Sequence, residues 1–351
     1  SSLSRSELKG LFTFSSDLDL VSGFEYRNGN IQGDYNKCAT CDASIDGLPP
    51  EKVKGGNNYS NINLGFYAQS TYKPIKSLNL TGGARVDNNT IRGISNTVLN
   101  VRAAAVWSPD KFVFKGIYST AFLEPTLFQK YATSASRLLN NPFLIPEKVA
   151  NIDVSASYSL KDITLEFAFY NAKYSDVVNT NVVYDSTSGL PTTQFQSTGA
   201  LAIMGFQAGA TYRIDNYSIY ANFTYTNPKD DISGARIGDI AVSSFNAGMN
   251  AVLFDDLNIS LRSNYVGSKE TGKTTTVKGN PMSSIDGYFL LSGTVSYFNI
   301  IESGISLQLI CNNILNTEYY DPGVRSADNL IYASQIPQNE RNLTMRMILD
   351  F

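Results

Sequence analysis

Apolar and polar residues alternate along most of this chain. In 78–87, Leu78, Leu80, Ala84 and Val86 fall on one face of an extended strand, and Asn79, Thr81, Arg85 and Asp87 on the other. The same period of two runs through Ile163, Leu165, Phe167 and Phe169, through Tyr217, Ile219, Ala221, Phe223 and Tyr225, and through Leu257, Ile259, Leu261 and Tyr265. Around 305–312, Ile305, Leu307, Leu309 and Cys311 alternate with Ser306, Gln308, Ile310 and Asn312. The last strand sets Leu343, Met345, Met347, Leu349 and Phe351 against Asn342, Thr344, Arg346 and Asp350, with Ile348 the apolar intruder. No window repeats as strongly at 3.6 residues, so the pattern predicts strands and not helices.

About fifteen such strands are expected from alternation and turn signals. Short connections fall near 15–17, 74–76, 108–110, 161–162, 215–216, 255–256 and 299–302. Long ones fall near 29–57, 88–97, 123–148, 184–193, 228–241, 270–285 and 316–339. The two sets interleave without a break, as in outer-membrane barrels with short periplasmic turns and long extracellular loops. A soluble β-sandwich has no reason to sort its loops this way. The polar faces carry Arg85, Asp87, Glu166, Arg262, Arg346 and Asp350. Such charges are costly in a buried core and cost little beside a wet lumen. The fold class expected is all-β: a transmembrane, antiparallel, up-and-down β-barrel of outer-membrane type. Tyr72, Trp107, Tyr158 and Tyr217, close to the short turns, are expected to form an interfacial aromatic belt. If the residues before Ser16 were a lead-in and not a strand, about fourteen strands would remain. That even number could close by itself as a pore or apolar-solute channel.

Composition sharpens this picture. Only 17% of residues are charged, below the ~25% usual in soluble domains. Aromatics reach 12%, with 21 Tyr and 19 Phe against one Trp. There is no histidine, which removes Ser-His-Asp, Cys-His and HExxH chemistry. No paired-carboxylate constellation sits on one loop, so no enzyme is expected, and no cofactor or metal site is implied. The net charge of −3 gives no reason to expect nucleic acid. No apolar run approaches the ~20 residues of a membrane-spanning helix.

Some local motifs need weighing. Cys38-Ala39-Thr40-Cys41 lies in the first long loop. A disulfide pinning the loop, half of a metal site and two unrelated thiols all remain open, with the disulfide favoured because a structural zinc site needs four ligands. Cys311 falls on a lipid-facing strand position. Gly267-Ser268-Lys269-Glu270-Thr271-Gly272-Lys273-Thr274 matches the Walker A spacing. A phosphate cradle also needs a helix at the Lys-Thr, and the β-branched run that follows predicts a loop.

Several segments together resemble the TonB-dependent outer-membrane receptors. Phe122-Leu123-Glu124-Pro125 resembles that family's Phe-x-x-Pro loop, and Asn141-Pro142-Phe143-Leu144-Ile145-Pro146-Glu147 its Asn-Pro-x-Leu-x-Pro-Glu signature. Asn312-Asn313-Ile314-Leu315-Asn316-Thr317-Glu318-Tyr319-Tyr320 resembles its Asn-Leu-Phe-(Asn/Asp)-x-x-Tyr box. Ile336-Pro337-Gln338-Asn339-Glu340-Arg341 resembles its lead into a last strand ending on an aromatic residue, here Phe351. The resemblance implies a barrel of about 22 strands filled by a plug. It also implies import of a scarce nutrient, most often a ferric chelate, driven through TonB. No plug or TonB box is recognisable, so residues 1–351 are expected to be the carboxyl-terminal portion of the barrel domain. Expected partners are outer-membrane lipid and lipopolysaccharide, the TonB system through a plug, and a ferric siderophore or other large nutrient. Long-loop aromatics and cations are the expected ligand contacts: Tyr35, Lys37, Tyr131, Arg137, Tyr184, Arg236, Tyr319, Tyr320, Arg325 and Tyr332.

Overall fold

A computed structural model describes residues 2–33, 57–91, 93–131, 138–184, 189, 191–271, 282–298, 300, 304–323 and 333–349. The strands are β1 Ser2–Ser15, β2 Leu18–Gly33, β3 Asn57–Ile75, β4 Leu78–Ile91, β5 Ile94–Trp107, β6 Phe112–Leu123, β7 Leu138–Leu139, β8 Glu147–Leu160, β9 Ile163–Tyr184 and β10 Pro191–Ile214. They continue as β11 Tyr217–Asp230, β12 Ser243–Leu253, β13 Leu257–Val266, β14 Lys269–Glu270, β15 Ser284–Ile285, β16 Tyr288–Tyr297, β17 Ile305–Asn312, β18 Tyr320–Pro322, β19 Gln335–Pro337 and β20 Asn342–Leu349. Among the described residues one short helix, α1, covers Leu127–Tyr131. No helix among the described residues is long and apolar enough to cross a membrane, which leaves crossing by strands untouched.

The long strands pair in chain order, β1-β2-β3-β4-β5-β6-β8-β9-β10-β11-β12-β13-β16-β17-β20, with β7 beside β10. The expected count of fifteen is met along that path. β1 is a full strand, paired with β2 from Ser2↔Asn30 to Ser15↔Leu18. The fourteen-strand alternative, which needed residues before Ser16 to be a lead-in, therefore loses its premise. The physical reason lies in both faces of β1. Leu8 and Phe12 stand opposite Phe24 and Leu20, and Arg5 on the other face reaches Glu25.

Two compact units emerge. Unit 1 holds Ser1–Trp107, Lys115–Asp153 and Ala172–Ala202; unit 2 holds Ser108–Phe114, Val154–Asn171 and Ile203–Phe351. In unit 1, β4 places Leu80, Gly82, Ala84 and Val86 opposite Tyr72, Ser70, Ala68 and Phe66 of β3 and Ala105, Ala103, Val101 and Leu99 of β5. Directly opposed residues share a face, so this face is apolar and its reverse carries the charges. In unit 2, Ile305, Leu307, Leu309 and Cys311 of β17 oppose Leu349, Met347, Met345 and Leu343 of β20. Ser306, Gln308, Ile310 and Asn312 oppose Ile348, Arg346, Thr344 and Asn342. The alternation read from the terminal segment is thus the observed division of faces, and Cys311 lies on the apolar one.

The short connections among the described residues fall where expected, and several place a non-glycine residue in the left-handed region: Asp110 (φ 49°), Lys161 (46°), Asp215 (45°), Phe254 (53°) and Asp255 (64°). Aspartate tolerates that conformation through local hydrogen bonds, whereas Phe254 does not. Trp107 opposes Leu78, Tyr72 opposes Leu80 and Tyr217 opposes Ala251, so these belt residues lie on the apolar face beside short turns. The Tyr158 ring sits 4.6 Å from Phe112.

One expected long loop is absent. Residues 88–97 continue the β4–β5 hairpin, which turns between Ile91 and Ile94 with Gly93 at φ 79°. The polar residues there suggest a loop because their side chains satisfy each other across the hairpin. Asn88 Nδ2 donates to Thr97 Oγ1 (2.8 Å), and the Thr90 and Ser95 hydroxyls lie 2.8 Å apart. β9 and β10, of 22 and 24 residues, far exceed the ~9–11 residues needed to cross a bilayer.

Candidate functional site

The polar face of unit 1 carries an ionic network. Adjacent strands bring Glu7, Glu25, Gly65 and Asp87 into one row, Arg5, Arg27, Asn63 and Asn89 into a second, and Lys9, Gly23, Tyr67 and Arg85 into a third. Glu25 is only 1% exposed. It meets Arg5 at 2.5 Å, Arg85 at 2.9 Å and also Arg27. Arg85 Nε and Nη2 donate to the two oxygens of Asp87, each at 2.7 Å. Asn63 Nδ2 donates to Asn89 Oδ1 at 2.7 Å, and the Tyr67 hydroxyl to Glu7 Oε1 at 2.6 Å. Space for the crossing side chains comes from glycines. A Cβ at Gly23 would fall 2.5 Å from the Tyr67 hydroxyl, and one at Gly65 would collide with Arg85 Nη2. Glu7, Glu25 and Asp87 each face a base, while Lys9 and Arg102 on the same face stand outside the network.

The polar face of unit 2 differs. It is rich in amides and hydroxyls: Asn246 Nδ2 donates to Asn222 Oδ1 (3.0 Å), and Asn264 donates to Asn246. Ser260 Oγ donates to Asn250 Oδ1 (2.9 Å), and Gln308 Nε2 to Ser296 Oγ (3.1 Å). Tyr220 lies across Gly248, where a Cβ would come within 2.6 Å of its ring. One notch of about 230 Å³ includes Glu166, Arg213 and Tyr220; another of about 260 Å³ includes Tyr220, Asn250, Arg262 and Asn312. The polar-face assignments of Glu166, Arg262 and Arg346 hold, whereas Asp350 lies outside the described residues.

The long-loop ends carry three folded clusters. The first, in unit 1, is formed by residues 124–131 and 138–147. Thr126 and Gln129 cap α1 reciprocally, Thr126 N donating to Gln129 Oε1 (2.8 Å) and Gln129 N to Thr126 Oγ1 (3.2 Å). Lys130, 1% exposed, pairs with Glu124 at 3.3 Å, and Asn96 Nδ2 donates to the same carboxylate at 3.0 Å. The Asn-Pro-Phe-Leu-Ile-Pro-Glu segment is bound along β10. Asn141 Nδ2 donates to Phe195 O (2.9 Å), Ile145 N to Ser197 Oγ (3.2 Å), and Leu144 is buried. Glu147 Oε1 then accepts the Val178 N–H at 2.7 Å.

The second cluster, in unit 2, joins Tyr288 and Tyr319, whose ring centroids are 4.5 Å apart, with Lys269 over Tyr288 and 2.5 Å from Asp321 Oδ1. Nearby, Arg236 pairs with Glu270 at 3.7 Å. The third is the Asn-Asn-Ile-Leu-Asn-Thr box. Asn313 (φ 52°) and Asn316 (φ 53°) both turn left-handed. Asn313 Nδ2 donates to Thr317 O (2.8 Å), Thr317 N donates to Asn313 Oδ1 (2.9 Å), and Arg341 N donates to Asn316 Oδ1 (3.0 Å). The box ties the end of β17 to the start of β20.

Among the expected ligand contacts, Tyr319 and Tyr320 sit in the second cluster and Arg236 beside Glu270. Tyr184 ends β9 with 79% exposure, while Tyr131 is buried with Ile91 and Leu127. Tyr35, Lys37, Arg137, Arg325, Tyr332, Cys38, Cys41 and Phe351 lie outside the described residues. In the Walker-like stretch Lys269–Glu270 is strand β14, and Lys273 and Thr274 are outside the described residues. Sequence reasoning missed Glu25, Arg5 and Arg27, Lys130 with Glu124, and Lys269 with Asp321. The signal available was a charged residue in the middle of an alternating run, as Glu25 is in β2.

Residues 3–314 match the family described as TonB dependent receptor-like, beta-barrel. Among curated proteins, the heme/hemopexin utilization protein C of Haemophilus influenzae is 23% identical over 176 residues, covering 41% of this chain and 24% of that protein. Among solved structures, the ferric enterobactin receptor of Pseudomonas aeruginosa in complex with enterobactin superposes with TM-score 0.78 at 15% identity, covering 98% of this chain and 53% of that one. The siderophore receptor PirA of Acinetobacter baumannii gives TM-score 0.76 at 14% identity, covering 98% and 54%. This chain spans about half the length of those solved receptors and about a quarter of the curated relative. With its strands in up-and-down order, one face apolar and the other polar, the chain belongs to the TonB-dependent receptor family of outer-membrane β-barrels.

Proposed function

We propose that this chain forms most of the wall of a TonB-dependent importer for a scarce nutrient, a ferric chelate of the siderophore type. The observation that carries the reading is the family match across residues 3–314. Support comes from the relatives, which are named a siderophore receptor, a ferric enterobactin receptor and a heme/hemopexin utilization protein. The polar face lines the import path, and the apolar face with its Tyr72, Trp107 and Tyr217 belt meets lipid. The residues 1–351 act as barrel domain, with a plug and the TonB system as partners. Outside the wall, Tyr184, Tyr319 and Arg236 are the described loop residues assigned to ligand contact, through ring stacking and charge. The chain performs no catalysis of its own.

The test uses the full-length protein in iron-starved cells supplied with radiolabelled ferric chelates. Saturable uptake that disappears when TonB is deleted is expected. A protein that takes up no chelate and conducts ions constitutively in bilayers would defeat the reading.

A further inference from the structure

The apolar face of unit 1 is not uniformly bulky. Successive rows across β3, β4 and β5 read Tyr72, Leu80 and Ala105, then Ser70, Gly82 and Ala103, then Ala68, Ala84 and Val101. The next row, Phe66, Val86 and Leu99, is large and exposed. The small side chains leave a groove of about 490 Å³, with Gly116 of β6 at its side and Tyr72 and Leu80 at its foot. A Cβ at Gly82 or Gly116 would meet nothing within 4 Å, so packing within the sheet asks for glycine at neither place. The groove opens opposite the polar face that would meet a plug. Its lining comes from β3 to β6, with β2 and β8 paired outside them, so the strands on either side are already in place.

The ends of the groove fix the direction of an occupant. Its foot lies beside Tyr72 and Trp107, next to the short turns, where an aromatic belt marks headgroup depth. From Tyr72 to Phe66, where the bulky row closes the groove, β3 advances six residues, about 20 Å at 3.4 Å each. At the strand tilt of a barrel this spans about 15 Å, the depth of one leaflet of the hydrocarbon core. Below the foot, the end of β3 and the turn after it carry Lys73 and Lys76, both exposed. The neighbouring β1–β2 turn, tied on by Lys73 N donating to Asp17 O at 2.8 Å, carries one acid, Asp17, against these two lysines.

We propose that this groove seats an acyl chain of an anionic phospholipid, whose phosphate lies on Lys73 and Lys76. A smooth apolar wall holds any chain equally. A recess with cations at its foot prefers a chain joined to a negative headgroup. A second copy of the protein is the poorer occupant, because nine lining residues fall far short of the ~20–30 a side of a stable interface. The proposal requires that the apolar face meet lipid and is independent of import.

Trp107, the one tryptophan of this chain, reports on the foot of the groove. The full-length protein is reconstituted into phosphatidylcholine vesicles in which a minor share of the lipid has brominated acyl chains, either phosphatidylglycerol or phosphatidylcholine. The signal is the fluorescence that the Trp107→Phe variant lacks. Brominated phosphatidylglycerol is expected to quench it as strongly as brominated phosphatidylcholine at about fivefold the share. The Lys73→Gln/Lys76→Gln protein should lose this preference. Gly82→Leu/Gly116→Leu, which fills the groove with side chains that lipid tolerates, should lose it as well while both lysines remain. Equal quenching by the two lipids in the wild type overturns the proposal, as does a preference that survives the lysine substitutions. A preference that survives the leucines shows headgroup attraction without a seat for the chain, and overturns the groove. Weak quenching by both lipids, with disulfide-linked pairs forming between Gly82→Cys copies, gives the groove to a second copy and overturns the proposal too.

Discussion

Gly65 stands between Glu25 and Asp87 on the polar face, and Arg85 crosses the space its missing side chain leaves. Replacing it with alanine puts a methyl group into the Arg85 guanidinium and 2.9 Å from Asp87 Oδ1. Arg85 must then release Asp87, bound at 2.7 Å through two nitrogens, and Glu25, bound at 2.9 Å. Asp87 is 3% exposed and would keep only Asn63 at 3.4 Å. Breaking a buried pair costs about 3–5 kcal/mol. Glu25 retains Arg5 and Arg27, which puts the loss at the low end. Alanine also gains about 0.5–1 kcal/mol over glycine in a strand. The net expectation is a destabilisation of about 2 kcal/mol. The assay is the midpoint of urea unfolding in lipid vesicles. Gly82→Ala is the control, because nothing lies within 4 Å of a Cβ there; it should show only the backbone gain of about 0.5–1 kcal/mol. In an Arg85→Met background, Gly65→Ala should no longer destabilise, since the collision with the guanidinium is gone and the Asp87 carboxylate, released from Arg85, can turn away from the methyl group. If Gly65→Ala matched Gly82→Ala, or if its cost survived in the Arg85→Met background, the clasp would not be what this glycine protects.

Three further outcomes follow from the geometry. Phe254 and Asp255 are successive left-handed residues in the β12–β13 turn; exchanging them for Asn-Gly should raise stability by about 1–2 kcal/mol in the same unfolding assay. Glu124→Ala leaves the buried Lys130 ammonium without its carboxylate, so limited proteolysis within 124–147 should speed up about tenfold, and Lys130→Met added to it should reverse most of that change. On the β11–β12 loop, the backbone N–H of Ser233 and then its hydroxyl, at 2.7 and 2.9 Å, hold the Asp230 carboxyl below its ordinary value. The lowered value means the turn's contribution is present above the usual carboxylate range, near pH 4, and fades only as pH falls through the depressed value. Amide exchange at Ile232 and Ser233 reads it, and fraying already at neutral pH would contradict the assignment.

The alternation of Leu343, Met345, Met347 and Leu349 with Asn342, Thr344 and Arg346 decided by itself which face of β20 is apolar. Side-chain direction in a strand has a period of two whatever the neighbours are. The short turns, the strand count and the placing of Cys311 were legible for the same local reason. What the sequence alone left open depends on register between strands far apart in the chain. Glu25, Arg85 and Asp87 meet only because Glu25 pairs opposite Gly65, which in turn lies opposite Asp87. No local pattern encodes that alignment. The Asn88–Thr97 hairpin was misread as a loop because polar residues satisfied by each other look, in sequence, like polar residues satisfied by water. Likewise Glu166 and Arg213 carry ordinary alternating positions in β9 and β10, and only the folded sheet sets them at one notch without pairing them. Local chemistry determined the faces; the tertiary register decided which charges on a face meet and which do not.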